Sequence, residues 1–123
     1  MSITPTARDL LHTEAVNLAT DVAAMLLEYR DHVGADEAYA VSSEILGLSD
    51  HILMARKSVT SLKARWHFAG GRTVCQRTMV ALDRLAARHQ VPLMRSAALH
   101  EHLSGMAKAL DALSEAPSWQ SDR

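Results

Sequence analysis

The most regular part of the chain is residues 41–66, VSSEILGLSDHILMARKSVTSLKARW, where apolar side chains recur at alternating intervals of four and three positions. The stripe is formed by Val41, Ile45, Leu48, Ile52, Ala55, Val59, Leu62 and Trp66. An average interval of 3.5 residues keeps one face of a helix turned towards a partner helix, as in coiled coils and helical bundles. The sequence therefore predicts a long heptad-patterned helix here.

Stripes with the same spacing lie on both sides of this stretch. One runs through residues 11–29 and another through residues 99–113. A weaker stripe between them consists of Cys75, Met79, Leu82 and Ala86. No six consecutive residues keep the alternation by two that a half-buried β-strand shows. We therefore expect an all-α protein with four helices.

Glycine and proline set the expected helix boundaries. Gly34 can end the first helix in a left-handed conformation, and the pair Gly70-Gly71 and then Pro92 interrupt the later pattern. These residues predict helices near 7–33, 37–68, 73–89 and 93–115. Because the connections between these helices are short, consecutive helices should be antiparallel neighbours. The expected fold is an antiparallel, up-down-up-down four-helix bundle.

Length and composition fit one domain. The chain has 123 residues, of which 48% are hydrophobic, and we expect a single helical-bundle domain over residues 1–116 with a flexible C-terminal tail at 117–123. The longest apolar run, residues 22–27, is much shorter than the roughly 20 residues of a membrane-spanning helix. Residues 1–20 lack the order of a secretory signal, and the single cysteine, Cys75, fits a reducing compartment. The sequence therefore predicts a cytoplasmic protein without a membrane partner.

The net charge of −1 hides a strong separation of charge along the chain. Residues 1–53 have a net charge of −7, whereas residues 54–95 have a net charge of +8. Such asymmetry indicates an anionic partner for the middle of the chain, either an acidic protein surface or a nucleic acid. The alternative is internal compensation, in which an acidic first helix lies along a basic second helix.

The predicted partner-binding site lies at the tip between the second and third helices and on the adjoining third helix. Trp66 continues the apolar stripe and is expected in the core, which leaves His67 and Phe68 as the exposed rings. Three arginines on the third helix are spaced by seven and four residues, so they share one helical face. The predicted site comprises Lys63, Arg65, His67, Phe68, Arg72, Arg77, Arg84 and Arg88.

The predicted helices differ in length, which indicates self-association. At about 1.5 Å per residue, helix 37–68 would be about 48 Å long and helix 73–89 about 25 Å long. Part of the long stripe would then have no partner within the chain, and its β-branched residues Ile45, Ile52 and Val59 favour two-stranded packing. We therefore expect a homodimer, unless bending of the helices closes the gap.

Residues 43–53, SEILGLSDHIL, resemble the helix-turn-helix of DNA-binding regulators of the LuxR type. The resemblance implies a turn at Gly47, a recognition helix capped by Ser49, and nucleic-acid contacts by Arg56 and Lys57. A turn at Gly47 would, however, put the residues before it out of phase with the rest of the stripe. A glycine inside a helix costs only about 1 kcal/mol. We therefore favour a continuous helix through Gly47 and keep a small DNA- or RNA-binding transcriptional regulator as the alternative function.

Motifs for catalysis and for cofactors are weak. Cys75 lies on the apolar stripe of the third helix and is expected in the core, and we identify no catalytic residue. His100 and His102 are about 200° apart around a helix, so they do not bind one ion from a single face. We expect no cofactor and no metal site, and a metal- or haem-binding bundle is a third alternative. The leading expectation is a non-enzymatic adaptor or regulatory protein that self-associates and binds a macromolecule through the basic surface of its second and third helices.

Overall fold

The computed structural model describes residues 7–89 and 96–115, and within these residues all regular structure is helical. Four long helices and one short helix follow each other: α1 (Ala7–Glu28), α2 (Arg30–Val33), α3 (Ala35–Lys57), α4 (Ser61–His89) and α5 (Ser96–Glu115). The four long helices pack against each other, which confirms the predicted all-α four-helix bundle. The predicted tail at 117–123 and the predicted break at Pro92 lie outside the described residues.

Ion pairs between the helices show that α4 runs antiparallel to both α3 and α5. Along α3 and α4, Glu37 pairs with Arg88 and Glu44 pairs with Arg77, so residue numbers rise on one helix as they fall on the other. Helices α4 and α5 show the same reversal in the pairs Arg72–Asp111 and Asp83–His100. Helix α1 packs on α3 and also contacts α5, which closes the ring of four helices.

The heptad stripes of α1, α3 and α5 form much of the core, as predicted. On α3 the buried residues are Ala38, Val41, Ile45, Leu48, Ile52 and Ala55. They belong to one cluster with stripe residues of the flanking helices, among them Leu18, Val22, Met25, Leu103 and Leu110. Cys75 is in this core as well, and burial raises the pKa of its thiol to about 12. The thiol therefore stays protonated at neutral pH and packs as a small apolar side chain.

The predicted long helix 37–68 is wrong. In the structure α3 ends at Lys57 and α4 begins at Ser61, and the longest helix is α4, with 29 residues. The predicted break at Gly70-Gly71 is also wrong, because α4 continues through both glycines. The boundary between the second and third long helices thus lies well before the glycines.

Two hydroxyl side chains form hydrogen bonds at the end of α3 and at the start of α4. Ser58 has an extended backbone, and its hydroxyl donates a hydrogen bond to the carbonyl of Met54 in the last turn of α3. The Thr60 hydroxyl accepts a hydrogen bond from the backbone N–H of Lys63 at 3.2 Å, so it caps the first turn of α4. The β-branched Val59 between them has a reduced preference for helix. One short segment therefore ends one helix and starts the next.

Gly70 and Gly71 lie inside α4 because two neighbouring helices approach it closely there. A Cβ atom at Gly70 would lie 2.6–3.0 Å from three ring atoms of His51 on α3. At Gly71 it would lie 3.1 Å from Leu110 on α5 and 3.4 Å from Leu48 on α3. A glycine in a helix interior costs about 1 kcal/mol relative to alanine, and the close packing of α3 and α5 offsets this cost.

Replacement of Gly70 is expected to reveal this close approach. Gly70→Ala should lower the free energy of unfolding, because the added methyl group collides with the His51 ring. In a His51→Ala background the same substitution should instead raise stability by about 0.5–1 kcal/mol, the usual gain of alanine over glycine in a helix. Gly105→Ala, where the added Cβ has no neighbour within 4 Å, is the matched control and should stabilise both backgrounds. Urea denaturation measures the change in the free energy of unfolding for each variant. An equal effect of Gly70→Ala with and without the His51 ring would contradict the predicted collision.

The expectation at Gly47 is confirmed, and that at Gly34 in part, because the predicted first helix 7–33 is divided at Tyr29. Gly34 has a positive φ of 88° and ends α2, which follows α1 after a turn at Tyr29. Gly47 is helical within α3, and the Ser49 hydroxyl donates a hydrogen bond to the carbonyl of Leu46 in the preceding turn instead of capping a new helix. The helix-turn-helix resemblance therefore does not extend to the structure of this segment.

Candidate interaction surface

Because α4 runs without a break from Ser61 to His89, residues spaced by three, four or seven positions share one side of it. The side turned away from the core carries Leu62, Trp66, Arg77, Val80, Arg84 and Arg88, and we call it the α4 outer face. From Leu62 to Arg88 this face is about 39 Å long at about 1.5 Å per residue. It brings together residues that the sequence predicts on two separate helices, Leu62 and Trp66 on the second and the three arginines on the third.

Large apolar side chains along this face are exposed. Leu62 is 72% exposed, Trp66 67% and Val80 48%, and Val59 in the connection before α4 is 87% exposed. Isolated apolar residues are common on protein surfaces, whereas neighbouring ones that include an aromatic ring mark an interaction site. The start of α4 is therefore the strongest candidate for an apolar anchor.

The structure reverses the predicted positions of Trp66 and Phe68. The sequence predicts Trp66 in the core and Phe68 on the surface, and both expectations are wrong, since Phe68 is fully buried. The reason is the break at residues 58–60, after which α4 begins with a new helical phase. In that phase the positions facing the core are Ala64, Phe68, Gly71, Cys75, Thr78, Leu82 and Leu85. Phe68 and the buried His67 thus leave the predicted exposed set, and Trp66 joins it.

Three arginines lie on the outer face, as their spacing predicts. Arg77 lies 3.6 Å from Glu44, and Arg88 lies 3.0 Å from Glu37, with both acids on α3. The two arginine side chains are still 70% and 71% exposed, and surface ion pairs of this kind contribute at most about 1 kcal/mol. Arg84 is exposed and forms no ion pair with any residue that the structure describes. Internal compensation is therefore partial, and on this face it comes from α3 rather than from the acidic first helix.

Two further predicted arginines lie beside the outer face. Arg72 forms an ion pair with Asp111 on α5. Together with Arg65, Leu62 and Trp66 it lines a shallow pocket of about 300 Å³. The Nε atoms of both arginines are buried without a hydrogen-bond partner in the described part of the chain, and such an unpaired donor costs about 1–3 kcal/mol.

The remaining predicted cations surround the same end of the bundle. Arg56 and Lys57, the predicted nucleic-acid contacts, occupy the last turn of α3, and Lys63 occupies the first turn of α4. All three are exposed. With the exposed Val59 and Trp66 they make this end of the bundle both apolar and basic.

A pair of histidines, His51 on α3 and His67 on α4, lies beside the Trp66 ring. Their Nδ1 atoms are 3.4 Å apart, and the Trp66 ring centre is 6.4 Å from that of His51 and 5.0 Å from that of His67. Burial lowers the pKa of His67, and the nearby His51 and Lys63 lower it further. The pair is hard to predict from sequence because its members are 16 residues apart on different helices. Its one local signal is Gly70, which makes room for the His51 ring.

The lowered pKa of His67 predicts a loss of stability on acidification. The unfolded chain binds a proton at His67 near pH 6.5, and the folded chain binds it only at lower pH, so folding becomes less favourable as the pH falls below that value. The loss is complete once the pH has fallen through the folded-state pKa. Between about pH 7.5 and pH 5.5, the melting temperature should fall further for the wild-type protein than for His67→Gln. His102→Gln, at an exposed position, is the control, and an equal fall for His67→Gln and wild type would refute the expectation.

Comparisons of the chain with protein families, with curated proteins and with solved structures gave no match. Among the helices of the described residues, none combines the length and the apolar character that crossing a membrane requires. The function of the protein is therefore inferred from the residues on the surface of the bundle.

Proposed function

We propose that the protein is a non-enzymatic helical-bundle adaptor or regulatory protein that binds an acidic protein surface through the α4 outer face. One observation carries this proposal: exposed Leu62 and Trp66 lie on the same side of one helix as Arg77 and Arg84. Trp and Arg are the residues most enriched among the energetic anchors of protein interfaces. A cytoplasmic location belongs to the same proposal, since the single cysteine, Cys75, is a buried free thiol.

The pattern of the face fits an acidic amphipathic helix laid along α4. Leu62 and Trp66 supply an apolar anchor at one end, and Val80 supplies a second apolar contact between Arg77 and Arg84. A partner helix with apolar residues on one side would bury them against these side chains. Asp or Glu residues beside that apolar side would form ion pairs with the arginines. Arginine suits this role because its guanidinium group binds a carboxylate through two parallel hydrogen bonds.

Nucleic acid is the alternative partner for the same cations. It would bind Arg77, Arg84 and the exposed Arg56 and Lys57 through its phosphates, a contact that requires charge but no apolar surface. A duplex bound through its phosphates would leave the apolar side chains of the outer face in water. The exposed apolar anchor therefore favours an acidic protein.

Two defined probes separate these partners: a synthetic amphipathic helical peptide with Leu on one side and Glu on the other, and a short DNA duplex. Fluorescence anisotropy of the labelled probes gives the dissociation constants. We expect the peptide to bind more tightly than the DNA at physiological salt, and Trp66→Ala to weaken peptide binding by about tenfold or more. Leu10→Ala removes an exposed apolar residue on α1 and should leave peptide binding unchanged.

The outcomes of this experiment are distinct. DNA binding that falls steeply as the salt concentration rises, without peptide binding, would make a nucleic acid the partner. Peptide binding that does not respond to Trp66→Ala would remove the α4 outer face as the site. Failure of both probes to bind would overturn the proposal.

We also propose that the protein forms a homodimer, through a groove between α1 and α3 rather than through the stripe predicted from sequence. From Val41 to Ala55 that stripe is buried within the chain. The groove, of about 410 Å³, exposes Val16, Leu27 and Leu46, and none of the described residues that line it is charged. A two-fold contact places the same patch on both subunits, so an uncharged patch meets its copy without the repulsion that the outer-face arginines would cause.

The homodimer predicts a molecular mass. Light scattering at micromolar concentration should give twice the chain mass of 13.5 kDa. Leu27→Glu with Leu46→Glu should give the mass of one chain at unchanged helix content, because two charges in the groove would face their copies. A monomeric wild-type protein would disprove the homodimer, and loss of the dimer in Trp66→Ala would move the contact to the α4 outer face.

A further inference from the structure

The histidine pair beside Trp66 has a geometry that partner binding by the α4 outer face does not use. His51 Nδ1 and His67 Nδ1 face each other at 3.4 Å, where α3 meets α4. We propose that these two nitrogens together bind a divalent transition-metal ion of the zinc class, with water completing the coordination. The described residues hold no group of three or more His, Cys, Asp or Glu side chains that could share an ion, so the site proposed within them has two protein ligands. It is independent of the proposed partner binding.

The distance between the two nitrogens matches a tetrahedral metal centre. Zinc–imidazole bonds are about 2.0–2.1 Å long, and two such bonds at the tetrahedral angle hold their nitrogen atoms about 3.3–3.4 Å apart. A direct N–H···N hydrogen bond is the other use of such a pair. At 3.4 Å the nitrogens are farther apart than the roughly 2.7–3.2 Å of ordinary protein hydrogen bonds. The separation lies at the long limit for a hydrogen bond and matches the spacing of two ligands on one ion.

The surroundings keep both imidazoles available as ligands. Metal ions bind imidazole in its neutral form, through the ring nitrogen that carries no proton. Neither ring forms an ion pair with a carboxylate among the residues that the structure describes. Gly70 lets the His51 ring lie against the backbone of α4, so the ring is held in place at the α3–α4 contact. Both ligands are thus positioned before an ion arrives.

Lys63 is the cation that acts on this pair, and it offers a graded test. Its positive charge acts on His67, and the same field repels a metal ion bound there. Lys63→Gln should therefore tighten metal binding by about two- to threefold, whereas loss of either histidine should weaken it far more.

Cobalt(II) is the probe, because it accepts the same imidazole ligands as zinc and quenches a nearby indole. The chain has two tryptophans, so Trp119→Phe leaves Trp66 as the reporter, 5.0 Å from His67 between ring centres. We expect saturable quenching with one ion per chain, and binding at least about tenfold weaker in His51→Gln and in His67→Gln. His100→Gln, which removes a histidine at the α4–α5 contact, is the matched control and should bind like the parent protein.

A second measurement does not depend on fluorescence. Zinc chloride should raise the melting temperature of the parent protein, because an ion that binds only the folded state stabilises it. It should not raise that of either histidine variant, whose folding is checked by circular dichroism. Quenching that does not saturate, or that survives the loss of either histidine, would show that no such site exists.

Discussion

Phe68→Ala is expected to lower the free energy of unfolding by about 3–5 kcal/mol, and Trp66→Ala by less than about 1 kcal/mol. The Phe68 ring is fully buried in the core, so its removal leaves a cavity that the packed helices fill only in part. Trp66 is largely exposed, so its truncation removes few contacts. Since domains of this size are stable by only about 5–15 kcal/mol, the loss at Phe68 is a large part of the total.

Urea denaturation of the two variants measures this difference. The long stripe of the sequence predicts the opposite order, because it places Trp66 in the core. A larger loss for Trp66→Ala than for Phe68→Ala would therefore contradict the helix break at residues 58–60. Phe68→Leu retains most of the buried volume and should recover much of the stability, which keeps the comparison possible where the alanine variant does not fold.

Reversal of two charges on the α4 outer face is expected to remove partner binding while the fold is kept. Arg77→Glu with Arg84→Glu should weaken binding of the acidic amphipathic peptide by about 100-fold, because two repulsive contacts replace two attractive ones. The free energy of unfolding should change by less than about 1 kcal/mol. Arg77 has only its exposed pair with Glu44, and Arg84 has no ion pair within the described ranges.

A variant with the same change in net charge separates local contact from overall charge. Arg30→Glu with Lys108→Glu alters two exposed cations on α2 and α5 that do not belong to the outer face. Screening by salt limits their effect at a distance, so this variant should bind the peptide within about threefold of wild type. Equal weakening by the two double variants would mean that overall charge holds the peptide. Unfolding of the Arg77 and Arg84 variant would mean that the arginine row is structural.

Three of the four core stripes could be predicted from the spacing of apolar residues, and the stripe of α4 only in part. Cys75 and Leu82 of its predicted stripe are buried, and Met79 and Ala86 pack against the core. Its core positions include Ala64, Gly71 and Thr78, which do not stand out as apolar in the sequence. Thr78 is accepted in the core because its hydroxyl donates a hydrogen bond to the Val74 carbonyl in the same helix at 2.8 Å. Because small and hydroxyl-bearing residues occupy core positions of α4, the spacing of apolar residues alone does not give the phase of this helix.

The end of α3 was hidden by a coincidence of spacing. Val59, Leu62 and Trp66 extend the α3 stripe at the right intervals, although they lie beyond the end of that helix. The local signal was the pair Ser58 and Thr60, whose hydroxyls compete with helical hydrogen bonds and cap helix ends. The regular spacing of the apolar residues indicates a continuous helix more strongly than these two hydroxyls indicate a break.

The arginine row of the candidate site could be predicted, and its apolar anchor could not. The spacing of Arg77 and Arg84 places them on one side of any helix that contains both. Whether Trp66 shares that side depends on the break at residues 58–60, which sets the phase of α4, and on α4 passing unbroken through Gly70. Neither feature follows from the spacing of apolar residues, so this spacing alone does not give the composition of the site.

The accessibility of Trp66 tests the central claim most directly, namely that α4 presents this ring to solvent as part of a binding face. In Trp119→Phe protein, quenching by acrylamide reports on Trp66 alone, before and after addition of the acidic amphipathic peptide. We expect the free protein to be quenched like a solvated indole, and the bound peptide to protect the ring. An indole that is already shielded in the free protein, or that the bound peptide leaves unprotected, would contradict the α4 outer face as the binding site.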